Sequence, residues 1–205
     1  MRSIHPVHRG IVAVAIEHPA IARTNSARDE LRRRTRGLLE TALTSAGIRP
    51  AHCELLGGPD DGVVALIRPV DEVPKTLLLG MVVPMLSRLV AGDHDGPPLR
   101  LRVAVHSGEV HRDGPGVFGE ALDIAFRVLE APRVRAYAQA VADPVTLVIT
   151  EEIFWSIVRH GYPGIEPAAF RPVGRIVSGR RRQIWVHVGS WHDSAMADLG
   201  TAAAR

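Results

Sequence analysis

Residues 99–130 constrain the fold of this chain more than any other stretch. They read LRLRVAVHSGEVHRDGPGVFGEALDIAFRVLE. Leu99, Leu101, Val103 and Val105 alternate with Arg100, Arg102, Ala104 and His106, the period of a half-buried strand. Gly108 and the Asp-Gly-Pro-Gly run at 113–116 then break the pattern. From Gly119 the period changes. Ala121, Leu122, Ala125, Phe126, Val128 and Leu129 recur at helical spacing until Pro132 ends the run. The spacing predicts a strand, a glycine-rich turn and an amphipathic helix in direct succession. Such a junction aims backbone N–H groups and a helix N-terminus at one point, where an anion can sit. Gly116 and Gly119 are its candidate contact positions.

The rest of the chain fits around this unit. The run IVAVAI at 11–16 predicts a buried central strand. Asn25 or Ser26 caps a predicted helix that buries Leu31, Leu38, Leu39, Ala42 and Leu43 and closes at Gly47. Residues 52–56 and 63–67 predict a hairpin across the turn at 57–62. A helix follows from Pro74 to about residue 91, with Pro84 inside it as a kink or break. Beyond the central unit, residues 133–141 predict a short helix and 145–150 a strand. Thr150 caps a helix over 151–160. Residues 173–177 and 183–188 predict a terminal hairpin. The first six elements, β-α-β-β-α-β, make a ferredoxin-like α+β core: an antiparallel sheet with helices on one face. An α-β-hairpin extension follows it. Residues 1–8 are expected to be an N-terminal tail, 9–189 a single domain and 190–205 a flexible C-terminal tail.

Composition excludes several classes. The chain has 205 residues and one cysteine, Cys53, so no internal disulfide framework exists. Its net charge is +3, and Lys75 is the only lysine. The arginines are spread among acids, except in the runs at 32–34 and 180–182, which read as solvated faces. No signal-peptide pattern opens the chain, and the longest apolar run is too short for a bilayer. A soluble, cytoplasmic protein with no membrane partner is expected. Cys53 reads as a core thiol. Glu109 and His111 share one strand face near His106, but nothing completes a metal site there, and a turn or loop role is expected. Trp185, His187, Trp191 and His192 read as strand packing and tail.

His106-Ser107-Gly108-Glu109-Val110, followed by the segment 119–128 (GEALDIAFRV), resembles the HxGEV…G-x-x-VN-x-A-x-RL signature of class III nucleotidyl cyclases. The continuation Leu129-Glu130-Ala131-Pro132 is similar to an actinobacterial branch of that family. The resemblance covers roughly residues 9–188 and implies the same ferredoxin-like core. It also implies a homodimer whose sites form between subunits, a purine nucleotide ligand contacted at Gly116 and Gly119, and Mg²⁺ or Mn²⁺ when a nucleotide binds. An active member would be a phosphorus-oxygen lyase. Its ribose 3′ hydroxyl attacks the α-phosphate and expels pyrophosphate, with two metal ions about 3.5–4 Å apart holding the reacting oxygens.

Carried over residue by residue, the match is incomplete. The family's first metal aspartate is replaced by Ala15, in Val14-Ala15-Ile16. Glu17 lies two residues on, roughly 6.5 Å along the strand, on the same face. It is either a solvated carboxylate or a displaced metal ligand. Asp61, in Asp60-Asp61-Gly62, fits the second metal ligand, and turn chemistry explains it equally well. No base-reading lysine precedes that turn. On the helix, Asp123 stands at the ribose asparagine position and Arg127 at the transition-state arginine position. Four apart and acid first, they also read as a surface ion pair.

These observations favour a degenerate cyclase-homology domain with little or no cyclase activity, acting as a nucleotide-sensing or dimerising signalling module with a partner protein; the resemblance to the actinobacterial branch alone implies a bacterial conflict or stress system. A second reading is an active purine-nucleotide cyclase with an altered metal site. A third is an RRM-like nucleic-acid binder. The third lacks stacking aromatics on its first and fourth strands, so nucleic acid is not an expected partner.

Overall fold

The computed structural model describes residues 5–17, 24–58, 61–114, 116–178, 180–189 and 191. The chain begins with β1 (Val7–Ile16), α1 (Asn25–Ser45), the hairpin β2 (Cys53–Gly57) and β3 (Val63–Ile67), and a helical segment. That segment consists of α2 (Lys75–Leu77), a π turn over Leu78–Val82, and α3 (Val83–Ala91). Pro84 has no N–H to give the Gly80 carbonyl one turn earlier. The expected kink is absorbed by the wider π turn just before it. Next come β4 (Leu101–Asp113), β5 (Gly116–Phe118), α4 (Glu120–Glu130), α5 (Pro132–Ala140), β6 (Val145–Thr150), α6 (Glu151–Ser156), β7 (Phe170–Ser178) and β8 (Arg180–His187).

The strands form one sheet in the order β2-β3-β1-β4-β6-β8-β7, with β5 attached to β4. β1 pairs antiparallel with both β3 and β4, so the expected α+β core and its ferredoxin-like strand order are present. The extension joins through the one parallel pairing described, β4 with β6, and closes on the β7–β8 hairpin. Side-chain alternation along β1 builds two cores. Val12, Val14 and Ile16 pack on one face with α1 and α3, while Ile11, Ala13 and Ala15 pack on the other with α4. The small residues Ala13, Ala15 and Ala104 on that second face share its core with Ala121 and Ala125 of α4, which leaves room for the helix to approach closely.

Several expectations are corrected. β4 does not break at Gly108. Its pairing with β1 continues unbroken from Leu101 to Val110. Gly108 is there because a Cβ at that position would lie 2.8 Å from the Ala121 Cβ. The turn does not feed α4 directly, since β5 intervenes and pairs back from Gly116 to Asp113. Thr24, not Asn25 or Ser26, caps α1, its Oγ1 accepting from the Ala27 N–H. Thr150 precedes α6 but makes no side-chain cap, because its hydroxyl is engaged elsewhere. The predicted helix over 151–160 stops at Ser156 and resumes as a single 3-10 turn, Val158–His160. The N-terminal tail is shorter than expected, with Val7 already paired to Val110. Of the expected C-terminal tail only Trp191 is described. It is buried and stacks on His187 at 3.7 Å. The rest of that tail, His192 included, lies outside the described residues.

Candidate functional site

Asp61 sits in the turn between β2 and β3, closed by Gly58 N–H donating to the Gly62 carbonyl at 2.8 Å. It has a left-handed backbone, with φ of 64°. An L-residue adopts that conformation at some cost, and Asp tolerates it better than most. The turn aims its carboxylate at the first turns of α1. Arg28 donates to Oδ2 through Nε at 2.6 Å and approaches with Nη2 at 2.5 Å. Arg32, one turn on, brings Nη1 to 3.7 Å from Oδ1. Two guanidiniums thus face the oxygens that a metal ion would need. Asp60 lies outside the described residues.

Ala15 stands opposite Arg102 in the β1–β4 register and is buried on the face that α4 covers. Arg102 is buried as well. Its Nε pairs with Glu17, its Nη1 donates to the Leu129 carbonyl in the last turn of α4, and its Nη2 lies 3.2 Å from Glu130. Glu17 is therefore not a solvated carboxylate, its side chain being only 3% exposed. Its other oxygen accepts from Gln139 Nε2 at 3.4 Å.

Asp123 and Arg127 are both exposed on the outer side of α4, one turn apart, while Leu122, Ala125 and Val128 face the sheet. Gly119 precedes the helix at φ 142°, where a Cβ would meet the Glu109 carbonyl at 3.1 Å. Its own carbonyl accepts from Leu122 and Asp123. Gly116 opens β5 opposite Asp113 of β4, three residues before Gly119 on the same limb of the hairpin.

Other sequence candidates separate. His106 projects from the face of β4 opposite Glu109 and His111, so the three do not converge. Glu109 pairs with His8 at 3.0 Å, and His111 stacks on Phe118. Buried His106 bonds Thr150 Oγ1 through Nδ1 at 2.9 Å. Burial holds its imidazole down at about 4. Cys53 packs against the core, and burial pushes its thiol up to about 11, which makes it unreactive. Trp185 stacks on Phe154 at 3.7 Å.

The two arginine runs are not simply solvated. Arg34 is buried on Asp93 at 2.6 Å, and Arg182 reaches Glu152 at 3.0 Å and Glu120 at 3.2 Å. Sequence reasoning missed the roles of Arg28, Arg32 and Arg102. The first two carried a signal, since their spacing of four puts them on one helix face. Arg102 carried none beyond its place in the alternation.

No family model matches the chain, and no curated protein matches it in sequence. Solved structures do match. The chain superposes on the adenylate/guanylate cyclase/hydrolase from Silicibacter pomeroyi with a TM-score of 0.60 at 12% identity, over 91% of this chain and 99% of that one. On the catalytic core of a rhodopsin-guanylyl cyclase with converted specificity, in complex with ATPαS, the TM-score is 0.62 at 11% identity, over 90% and 97%. The adenylyl cyclase CyaB from P. aeruginosa gives 0.55 at 14%, over 91% and 97%. The fold is that of a nucleotidyl cyclase catalytic domain.

The sequence resemblance implies a pair of metal ions, and the residues present fit them poorly. Ala15 offers no donor atom, Glu17 is engaged by Arg102, and Asp61 is clasped by Arg28 and Arg32. Among the described residues no group of three or more His, Cys, Asp and Glu side chains converges as a metal site. Among them, too, no helix is long and apolar enough to cross a membrane.

Proposed function

We propose that this cyclase-fold domain does not cyclise nucleotides and works instead as a dimerising, nucleotide-responsive signalling module of a degenerate, actinobacterial type. One observation carries the reading: Asp61, the remaining family metal ligand, is neutralised by Arg28 and Arg32 while Ala15 leaves the other ligand position empty of donors. A cation brought to Asp61 meets two guanidiniums, and like charges at close range repel strongly. Without a bound metal, nothing lowers the pKa of an attacking hydroxyl. Asp123 adds a negative charge where the family's neutral amide donates a hydrogen bond to the ribose.

Asp61 and the α4 pair Asp123 and Arg127 belong to one site only if two copies associate head to tail about a two-fold axis. In that dimer Arg127 of each copy meets phosphate held by the other. Mg²⁺ or Mn²⁺ would enter only with the nucleotide. A signalling partner protein then reads the state of the dimer.

The test is incubation with ATP or GTP and Mn²⁺ followed by a cyclic-nucleotide assay. No product above the buffer blank is expected. Multiple-turnover formation of cAMP or cGMP that disappears in Asp61→Ala would establish an active cyclase with an altered metal site and overturn this reading.

A further inference from the structure

A cavity of about 240 Å³ opens at the end of the sheet where β6 and β8 separate. The two strands pair from Val148 to Thr150. Ahead of Val148 the β6 residues Val145 and Thr146 pair with no residue of β8, and both line the cavity. Three rings line it too: Tyr137 of α5, His187 at the end of β8, and Trp191. His187 and Trp191 stack at 3.7 Å, and the Tyr137 hydroxyl donates to the His187 carbonyl at 3.4 Å, so the rings are held together. The Asp143 carboxylate is the one charge on the described lining. Burial, and after it the Asp143 charge, hold the Tyr137 hydroxyl above its ordinary pKa, so the carboxylate's field reaches that ring. Burial lowers His187 to about 4, and its imidazole adds no positive charge at neutral pH. Arg100 does not line the cavity; its guanidinium donates to the Ala138 and Val141 carbonyls at 2.7 and 2.6 Å.

We infer that this cavity binds a small quaternary ammonium ion. A cation within about 6 Å of a ring centroid is attracted by the ring's negative face, and more strongly where water is excluded. Three rings and one carboxylate supply that attraction, and no positive group on the lining opposes it. A primary ammonium brings three N–H donors that need acceptors. The described lining offers side-chain oxygens only from Asp143, Thr146 and Tyr137, and the Tyr137 hydroxyl is already engaged with His187. A quaternary ion needs no hydrogen bonds and fits such a lining better. An anion is disfavoured by Asp143. Size disfavours a nucleotide, since the cavity holds about eight water-sized atoms at about 30 Å³ each. The cavity also stands apart from the candidate site. In the strand order β1 and β4 lie between β3, which carries the Asp61 turn, and β6, a separation of roughly 14 Å at about 4.8 Å per strand. Asp123 and Arg127 lie on the outer side of α4, and neither lines the cavity.

The test is saturation-transfer NMR on the full chain, titrated with choline and, separately, with its uncharged isostere that has carbon in place of the nitrogen. Choline is expected to bind at about millimolar affinity, as suits so small a ligand. The uncharged isostere is expected to bind roughly tenfold more weakly, because it loses the attraction of the rings and the carboxylate. Asp143→Asn should weaken choline by about the same factor and leave the isostere unchanged, which shows at once that the cavity is still formed. Trp191→Phe keeps a ring with a weaker face and should bind choline more weakly than wild type. Asp61→Ala and Arg127→Ala should bind choline like wild type, so the cavity and the nucleotide site proposed above can fail separately. The proposal is overturned if choline shows no binding at tens of millimolar, if the isostere binds as tightly as choline, if Asp143→Asn binds choline like wild type, or if Asp61→Ala or Arg127→Ala abolishes binding.

Discussion

Single residues hold the tightest constraints in this molecule. Gly108 lets α4 lie on β4, and a methyl group there would meet the Ala121 Cβ at 2.8 Å. Gly108→Ala is therefore expected to destabilise the chain by about 1–3 kcal/mol through overpacking. Removing the opposing methyl group relieves the clash. Gly108→Ala/Ala121→Gly should lose less stability than the sum of the two single changes, although glycine inside a helix costs about 1 kcal/mol. Urea unfolding of the four proteins reads the coupling, and strict additivity would show that the two groups do not meet. Asp61 offers a second case. Its φ of 64° favours glycine, while its carboxylate holds Arg28. Asp61→Gly and Asp61→Ala lose the same ion pair, but only alanine retains the backbone strain. The glycine variant should be the more stable of the two by about 1 kcal/mol in the same unfolding experiment. Equal stabilities would count against the left-handed turn.

Arg102 joins four elements at one end of the sheet. It leaves β4, pairs with Glu17 just past β1, caps the last turn of α4 at the Leu129 carbonyl, and reaches Glu130, while Gln139 of α5 closes over Glu17. With the Arg102 and Glu17 side chains 5% and 3% exposed, removing one partner strands a buried charge. Arg102→Met should cost about 3–5 kcal/mol. Arg102→Met/Glu17→Gln should be more stable than Arg102→Met alone, because the stranded charge is gone; denaturant midpoints of the three proteins decide it. This cluster also marks how far the sequence could be read. Alternation correctly placed Leu101, Val103 and Val105 on one face of β4, and the helical period gave the buried side of α4. Alternation does not say what covers each face, however, so Arg102 and His106 read as the solvent side of a half-buried strand. Both are buried, beneath α4 and its neighbours. Glycine was misread for a related reason. Gly108 looks like a breaker in one dimension, and only the approach of α4 explains it. The partners of Arg28, Arg34 and Arg182 were illegible because each lies on a different element, brought near by the fold. At the candidate site, Ala15 at the position where the sequence resemblance implies a metal aspartate was visible in sequence, whereas the clasp on Asp61 was not.

Across the whole molecule, both faces of the sheet are covered, and buried groups that cannot ionise in place tie stability to pH. His106 lies in the core between β4 and β6, bonded to Thr150. His187, on β8, stacks on Trp191 and meets Phe170 edge to face. Burial lowers both imidazoles to about 4. In the unfolded chain each titrates near the ordinary value of about 6.5. Above that value both states are neutral and the stabilisation from these sites is fully present. As pH falls from about 6.5 toward 4, the unfolded chain takes up protons that the folded chain refuses, and stability falls. Each such histidine contributes a slope of up to about 1.4 kcal/mol per pH unit, which levels off once the folded form also protonates. Ordinary carboxylates titrate near 4, so between about pH 6.5 and 5 the histidines dominate the slope. Urea midpoints measured through that range should be flat above pH 7 and decline below 6.5. His106→Gln cannot titrate there, and its slope should be shallower than that of wild type by up to one proton. If the two slopes coincide, His106 is not held neutral in the folded chain, and the buried contact with Thr150 is not the one that exists in solution.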